Sequence, residues 1–249
     1  MPSTTTRRVQ RIRHELLRRH VTVTRTERVS PGFLRITFAS PALQTFVSLG
    51  FDDHVKFIVD TPTGEEVKRD YTPRHYDANR GELTLEFALH AGGQASAWAE
   101  AAVPGSTAVI GGPRGSMIIP TDYDWHLLIG DATALPAIER RLTELPHSTR
   151  AIVLAVAPDP ADRRPLSSHA TLSVAWIANY DALLTAIRAL QLPAGEGFAW
   201  GAGEASLMTE VHRLLREHHD HPAQAMRVAA YWRHGSRGFH EELALPVTE

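Results

Sequence analysis

Six consecutive residues, Arg69-Asp70-Tyr71-Thr72-Pro73-Arg74, concentrate recognition chemistry in one short run. A tyrosine ring offers a flat face for stacking, a threonine hydroxyl reaches a heteroatom, and two arginine forks suit phosphate oxygens. The same run also reads as an edge strand with solvated charges. Further along, His90-Ala91-Gly92-Gly93-Gln94-Ala95-Ser96 closes a predicted strand and opens a predicted helix. Small residues at a helix N-terminus let backbone N–H groups approach an anion closely, as a diphosphate requires. An ordinary Ser N-cap accounts for that pattern as well.

Two further runs join a predicted strand to a predicted helix through glycine: Ile129-Gly130-Asp131-Ala132-Thr133 and Trp200-Gly201-Ala202-Gly203-Glu204. Neither is a full G-x-G-x-x-G fingerprint, and each alone fits a tight turn. Two such turns in one parallel sheet point to a nucleotide crevice, because ligands bind beyond the carboxyl ends of such strands. His218, His219 and His221 resemble a metal tract, but they follow a predicted helix beside Pro222 and no metal ligand is assigned. His14 and His20 read as solvent-exposed. No catalytic triad, zinc signature, P-loop or carboxylate pair stands out.

The elements that must position these residues fall into two rhythms. Segments VTVTRTERVS, FLRITFAS, HVKFIVD, GELTLEFALH and AVIGGPRGS alternate apolar and polar residues between turn signals, the pattern of a small antiparallel barrel or sandwich. One short helix, ASAWAEAA, interrupts them. From WHLLIGD onward, strand and helix alternate: AIVLAVAP, TLSVAWIAN with DALLTAIRAL, FAWGAGE with ASLMTEVHRLLREHH, then MRVAAYW. That is a parallel sheet wound by helices. The expected organisation is a basic segment over 1–20, an antiparallel β-barrel over 21–120 and an α/β domain over 121–249.

Composition narrows the chemistry. The 249 residues are 43% hydrophobic and 22% charged, ordinary for a globular chain, and no apolar run approaches a membrane span. The absence of cysteine excludes disulfides, thiol catalysis, Cys-type zinc sites and protein-bound iron–sulfur clusters. Any electrons handled here travel on a bound organic cofactor or a substrate metal. The net charge of −2 is uneven: residues 1–20 carry six Arg against one Glu, while 121–249 stand at −5. Ile12, Leu16 and Leu17 in the basic tip are spaced for a short solvated amphipathic helix. The acidic body argues against nucleic-acid binding. Cytoplasmic location and a monomeric state are expected.

The combination of barrel, RDYTPR at 69–74, HAGGQASAWA at 90–99, GGPRGS at 111–116, DYDWHLLIGDATALPAI at 122–138, WGAGEAS at 200–206 and AYWRHG at 230–235 resembles the siderophore-interacting proteins. These are FAD-dependent ferric-siderophore reductases of the ferredoxin–NADP reductase superfamily. The match departs from that family at Ala132, where its motif usually reads Glu, and at Gly201, where it often reads Val.

The resemblance implies an FAD-binding barrel, an NAD(P)H-binding α/β domain and a ferric siderophore as substrate. The alternative readings are a flavin reductase that serves ferredoxin or another small acceptor, and a siderophore-binding module without electron chemistry. By the same similarity Arg69, Asp70, Tyr71, Thr72 and Arg74 would hold FAD, with Tyr71 and Thr72 at its reactive ring. His90, Ala95 and Ser96 would follow the ribityl and diphosphate groups. Asp131, Thr133, Gly201, Gly203 and Glu204 would meet the nicotinamide nucleotide, and Tyr231 and Trp232 would lie near the flavin. Lys56, Arg114 and Arg233 are the candidates for a basic mouth that captures an anionic siderophore. Arg163 and Arg164 hint at a 2′-phosphate without separating NADPH from NADH.

Overall fold

The computed structural model describes residues 8–61, 64–236 and the backbone of 241–242. Residues 1–7 of the predicted basic segment, Pro62-Thr63 of a predicted turn, and the remaining C-terminal residues of the predicted α/β domain lie outside the described residues. The chain divides into two compact units, one spanning Gln10–Ile119 and one from Pro120 onward that also takes the chain up to Val9.

The first unit contains β1 (Gln10–Arg13), β2 (Arg18–Ser30), β3 (Phe33–Ala39), β4 (Val55–Asp60), β5 (Glu66–Tyr71), β6 (His75–Asp77), β7 (Glu82–Ala88), α1 (Gln94–Ala101), β8 (Thr107–Gly111) and β9 (Gly115–Ile118). Seven strands form one antiparallel sheet in the order β5-β4-β8-β2-β3-β7-β6. Alternation sets its buried face: Val55, Phe57 and Val59 of β4 belong to the same core as Leu83, Leu85 and Phe87 of β7. Each such side chain, fully buried, contributes about 1.5–3 kcal/mol. Helix α1 packs against β3, β5 and β7, with Ala95, Ala99 and Trp98 joining the core.

The basic tip is not a helix. Residues 10–13 form β1 and pair antiparallel with β9, Ile12 opposite Ser116. The apolar spacing there serves a two-stranded ribbon, because β9 offers a free edge that a solvated helix would leave unpaired. His14, expected in solvent, is half-buried with Nε2 2.8 Å from Ser116 Oγ. Ser116 Oγ also donates to Asp53 Oδ2 at 2.5 Å and accepts the Leu49 N–H at 3.0 Å, so one hydroxyl ties the ribbon to the body of the unit.

The second unit contains β10 (Trp125–Gly130), α2 (Leu135–Glu144), β11 (Arg150–Val156), β12 (Thr171–Ile177), α3 (Tyr180–Ala189), β13 (Gly197–Glu204), α4 (Ala205–Arg213), β14 (Met226–Trp232) and β15 (Glu241–Glu242). Its sheet runs β12-β11-β10-β13-β14-β15, the first five strands parallel and the last antiparallel. Strand order reverses between β10 and β13, which makes the carboxyl ends of those two strands the topological switch point.

The histidine tract closes helix ends. His218 and His219 place Nε2 at 2.9 and 2.6 Å from the carbonyls of Arg188 and Ile187 at the end of α3. His221 Nε2 lies 2.9 Å from the Ala225 carbonyl. These contacts engage carbonyls at helix ends, where intrahelical partners run out; the Ile187 carbonyl also accepts the Leu190 N–H at 3.2 Å.

Candidate functional site

In the first unit the RDYTPR run forms the end of β5 and the turn after it. Register places Tyr71 opposite Val55 and Asp70 opposite Lys56. The Tyr71 ring packs 4.3 Å from that of Phe87 and edge-on to Phe57 at 5.6 Å. Desolvation by burial pushes its phenol above the usual range, although Arg69 opposes the shift. The ring is therefore held rigidly by an aromatic cluster, and its hydroxyl is bonded to none of the described residues. Thr72 is buried, and its hydroxyl likewise meets no partner among them.

Helix α1 starts with Gly93 as N-cap and carries no side-chain cap. The first intrahelical bond runs from the Ala97 N–H to the Gly93 carbonyl. The N–H groups of Gln94, Ala95 and Ser96 thus meet no acceptor among the described residues, although Ala95 and Ser96 are buried. A buried helix N-terminus without acceptors is suited to an anion. Gly92 at φ +75° makes the turn into it, with nothing within 4 Å of where a Cβ would stand. The His90 ring lies against Gly93, and Ser96 Oγ ties the loop by accepting the His90 N–H at 3.3 Å.

This donor set fits FAD: a packed aromatic ring, a buried threonine hydroxyl, and three N–H groups at a small-residue helix start. Asp70 adds a buried Oδ1 with no hydrogen-bond partner among the described residues, while its Oδ2 accepts from Lys56 Nζ at 2.7 Å. Lys56, expected at a substrate mouth, therefore shares its charge with a neighbouring carboxylate. Arg69 donates to the Lys68 carbonyl at 2.7 Å. The Arg74 N–H holds the Thr84 carbonyl at 2.9 Å. Arg114 is exposed, and its guanidinium meets no acceptor among the described residues.

In the second unit Asp131 stands at the switch point, buried, with four hydrogen bonds. Oδ1 accepts from the Thr133 N–H at 2.9 Å and the Thr133 hydroxyl at 2.6 Å. Oδ2 accepts from the Glu204 N–H and from Trp232 Nε1, both at 2.9 Å. Burial raises its pKa while the bonds from Thr133, Trp232 and Glu204 oppose the rise. Only an ionised carboxylate accepts four donors. Gly203 permits the approach: at φ +155°, a Cβ there would lie 2.6 Å from Asp131 Oδ2.

Two residues expected to meet a nucleotide are engaged otherwise. Glu204 is the N-cap of α4: its carboxylate accepts the N–H groups of Ser206 and Leu207 at 2.7 and 3.1 Å, along with the Ser206 hydroxyl. Burial works against ionisation there, yet these bonds hold its pKa below the usual range. Gly201 is not in a turn but inside β13, paired with Ile129 on one side and Val228 on the other. The strand runs on to Glu204 because β14 continues its ladder as far as Trp232. Tyr231 sits 6.3 Å from Trp200, ring to ring, and Arg233 is exposed.

Beyond these strand ends lies a cavity of about 680 Å³, lined by Asp131, Ala132, Thr133, Val156, Tyr180 and Trp232 among others. Its walls are apolar and aromatic with a few polar groups, the usual makeup of a ligand pocket. Tyr180, the first residue of α3, was not visible as a site residue in the sequence. Its ring packs on the unit's core, and burial, with Asp131 and Glu204 nearby, pushes its phenol up to about 12. An aromatic residue right behind a predicted strand and the Asn179 N-cap was the available signal. Ala132 leaves this wall without the carboxylate that the related motif usually carries.

The two units together define a ferredoxin reductase-like protein, an antiparallel flavin-type unit followed by a parallel nucleotide-type unit. The family model described as "Siderophore-interacting FAD-binding domain" matches residues 22–68 and 61–117, and the one described as "Siderophore-interacting protein" matches 123–235. The chain belongs to the siderophore-interacting protein family. It is 36% identical to the NADPH-dependent ferric-chelate reductase of Escherichia coli, over 92% of this chain and 98% of that protein. It is 26% identical to the ferric vibriobactin reductase ViuB of Vibrio cholerae, over 90% of this chain and 93% of that one. A siderophore utilization protein from T. fusca superposes with a TM-score of 0.87 at 30% identity, covering 93% of this chain and 98% of that one.

Proposed function

We propose that the chain is an FAD-dependent ferric-siderophore reductase that takes electrons from NAD(P)H and releases iron as Fe(II). The observation that carries this reading is the uncapped, buried start of α1 beside the packed Tyr71 and buried Thr72, in a chain whose relatives are ferric-chelate reductases. Bound FAD supplies the conversion between a two-electron hydride donor and a one-electron ferric acceptor.

The chain's own residues bind and orient. The N–H groups of Ala95 and Ser96 receive the diphosphate, with His90 beside it, and Arg69 and Arg74 supply positive charge. Tyr71 gives the isoalloxazine a fixed aromatic face, and Thr72 offers its ring edge a hydroxyl shielded from water. Asp131 and Thr133 shape the crevice for the nicotinamide nucleotide. Arg114 and Arg233 present positive charge to an anionic ferric siderophore. Protein ligands to iron are not required, because hard anionic oxygens hold Fe(III) far better than Fe(II). No helix among the described residues is long and apolar enough to cross a membrane. A reductase drawing on NAD(P)H belongs in the cytoplasm, acting as a monomer.

The test is anaerobic. The purified protein, loaded with FAD, receives NADPH or NADH and then a ferric siderophore with a ferrous trap. Flavin bands should bleach with the nucleotide and return as the ferrous complex appears. Bleaching without recovery on ferric siderophore, but with recovery on ferredoxin, would replace the substrate; failure to bind FAD would end the reading.

Tyr180→Ala should raise KM for the nicotinamide nucleotide roughly fivefold, the worth of one aromatic contact, with flavin content unchanged. Steady-state kinetics at saturating siderophore measures this. An unchanged KM would remove Tyr180 from the nucleotide wall.

A further inference from the structure

Two histidines that the sequence holds far apart meet at the end of the second unit's sheet remote from the cavity. His147 lies just before β11 and His169 just before β12, at the amino ends of adjacent parallel strands. The cavity lies beyond the carboxyl ends of the same strands, roughly 20 Å away along the length of β11. The two rings stand 5.0 Å apart, centroid to centroid, at 57° to each other. Both residues are exposed. Neither ring makes a hydrogen bond among the described residues.

The backbone on both sides is pinned by bonds in which the rings take no part. The Thr149 N–H returns to the Pro146 carbonyl at 3.1 Å and closes a tight turn around His147. The buried Thr149 shares its hydroxyl between the Thr121 and Tyr123 carbonyls at 3.2 and 3.3 Å. Its own carbonyl accepts the Thr171 N–H at 2.9 Å, which ties the two strand starts together. Next to His169, the Ser168 hydroxyl donates to the Leu142 carbonyl of α2 at 2.6 Å and accepts the Ala170 N–H at 3.1 Å. The two imidazoles are therefore held in reach of each other before anything binds them.

Their spacing matches a shared ion. An imidazole nitrogen binds a metal at about 2.0–2.1 Å, which sets the ring centroid about 3.2 Å from it. Two such rings stand about 4.5 Å apart when they subtend a right angle at the metal, and about 5.2 Å apart at a tetrahedral angle. The observed 5.0 Å lies between these limits. His218 and His219 are as close, at 4.9 Å, but their Nε2 atoms already meet the helix-end carbonyls. We infer that His147 and His169 form a surface chelate for a late divalent transition-metal ion of the Zn(II) and Cu(II) class. Imidazole suits these ions, whereas Mg(II) takes oxygen ligands. No group of three or more His, Asp or Glu completes a closed site among the described residues, so water fills the other positions. Fe(II) stands low in the affinity order of divalent ions, and the pair is therefore no trap for iron released elsewhere on the molecule. The site stands independently of the flavin and nucleotide readings.

The experiment titrates the full chain with zinc chloride by calorimetry, with magnesium chloride as the hard-ion comparison. His147→Ala and His169→Ala should each weaken Zn(II) binding at least about tenfold, no less than the loss of a metal site's outer-shell partner. The double variant should be little weaker than either single one, because a chelate is lost with its first ligand. His20→Ala, which removes an exposed histidine of the first unit, should leave the affinity unchanged. Electron paramagnetic resonance of the Cu(II) form should show coupling to two nitrogens in the wild type and to one in each single variant. Zn(II) affinity that survives either single substitution overturns the chelate. Additive losses overturn it too, since they describe two independent histidines, and so does Mg(II) binding as tight as that of Zn(II). Loss of the site in His218→Ala with both single variants intact would place the metal on the helix-end tract instead.

Discussion

Asp131→Ala should lower the stability of the second unit by at least about 3 kcal/mol, because each buried donor left unsatisfied costs about 1–3 kcal/mol. Four donors lose their acceptor: the Thr133 N–H and hydroxyl, the Glu204 N–H and Trp232 Nε1. These groups come from three strand ends, so the loss unpins the rim of the cavity as well as the fold. Nicotinamide-dependent flavin reduction should fall with it. Asp131→Asn tests the charge separately, since its amide nitrogen must face at least one of these donors. Urea denaturation followed by circular dichroism measures the first effect. A midpoint equivalent to less than about 1 kcal/mol of destabilisation would mean that Asp131 acts on the ligand and not as the knot of the rim.

The second large effect is acid sensitivity. His126, on β10, is fully buried, and both its ring nitrogens lack hydrogen-bond partners among the described residues. Burial, aided by the Arg141 charge, lowers its pKa from 6.5 to about 3. The unfolded chain therefore binds a proton between these values while the folded chain does not. Stability is fully present above pH 6.5 and falls as pH drops, by about 2 kcal/mol at pH 5 and about 4 kcal/mol at pH 3. His126→Leu keeps an apolar side chain of similar size and should flatten that slope by the same amounts. His212 and His221, whose pKa values burial also lowers, should leave a smaller residual slope. If unfolding free energy measured from pH 7 to 4 showed equal slopes in the variant and the wild type, His126 would not be the origin.

Much of the fold is legible along the chain because alternation and helical spacing are local. The apolar phase of β4 and β7 and the strand–helix rhythm after Trp125 are the same in the sequence and in the structure. Strand β1 is the counter-case: Ile12, Leu16 and Leu17 carry a helical spacing, but the decisive fact is the open edge of β9, more than a hundred residues away. The short strands β5 and β6 similarly owe their form to partners and not to their own pattern.

The chemistry divides in the same way. Residue types and their motifs marked RDYTPR, the small-residue start of α1 and Asp131, since glycine, a helix start and a paired hydroxyl leave local traces. The assignment of each side chain is a tertiary matter. Glu204 caps a helix because β13 extends to it, and Lys56 pairs with Asp70 because β4 and β5 set them opposite. The terminal nitrogens of Arg163 meet no acceptor among the described residues while its neighbour Arg164 is paired, because α2 brings Glu139 to only one of them. Local patterning suffices for the two kinds of unit and for the flavin-type and nucleotide-type motifs. Which of two adjacent arginines keeps its charge available was decided only by the fold, since that depends on carboxylates and carbonyls remote in the chain.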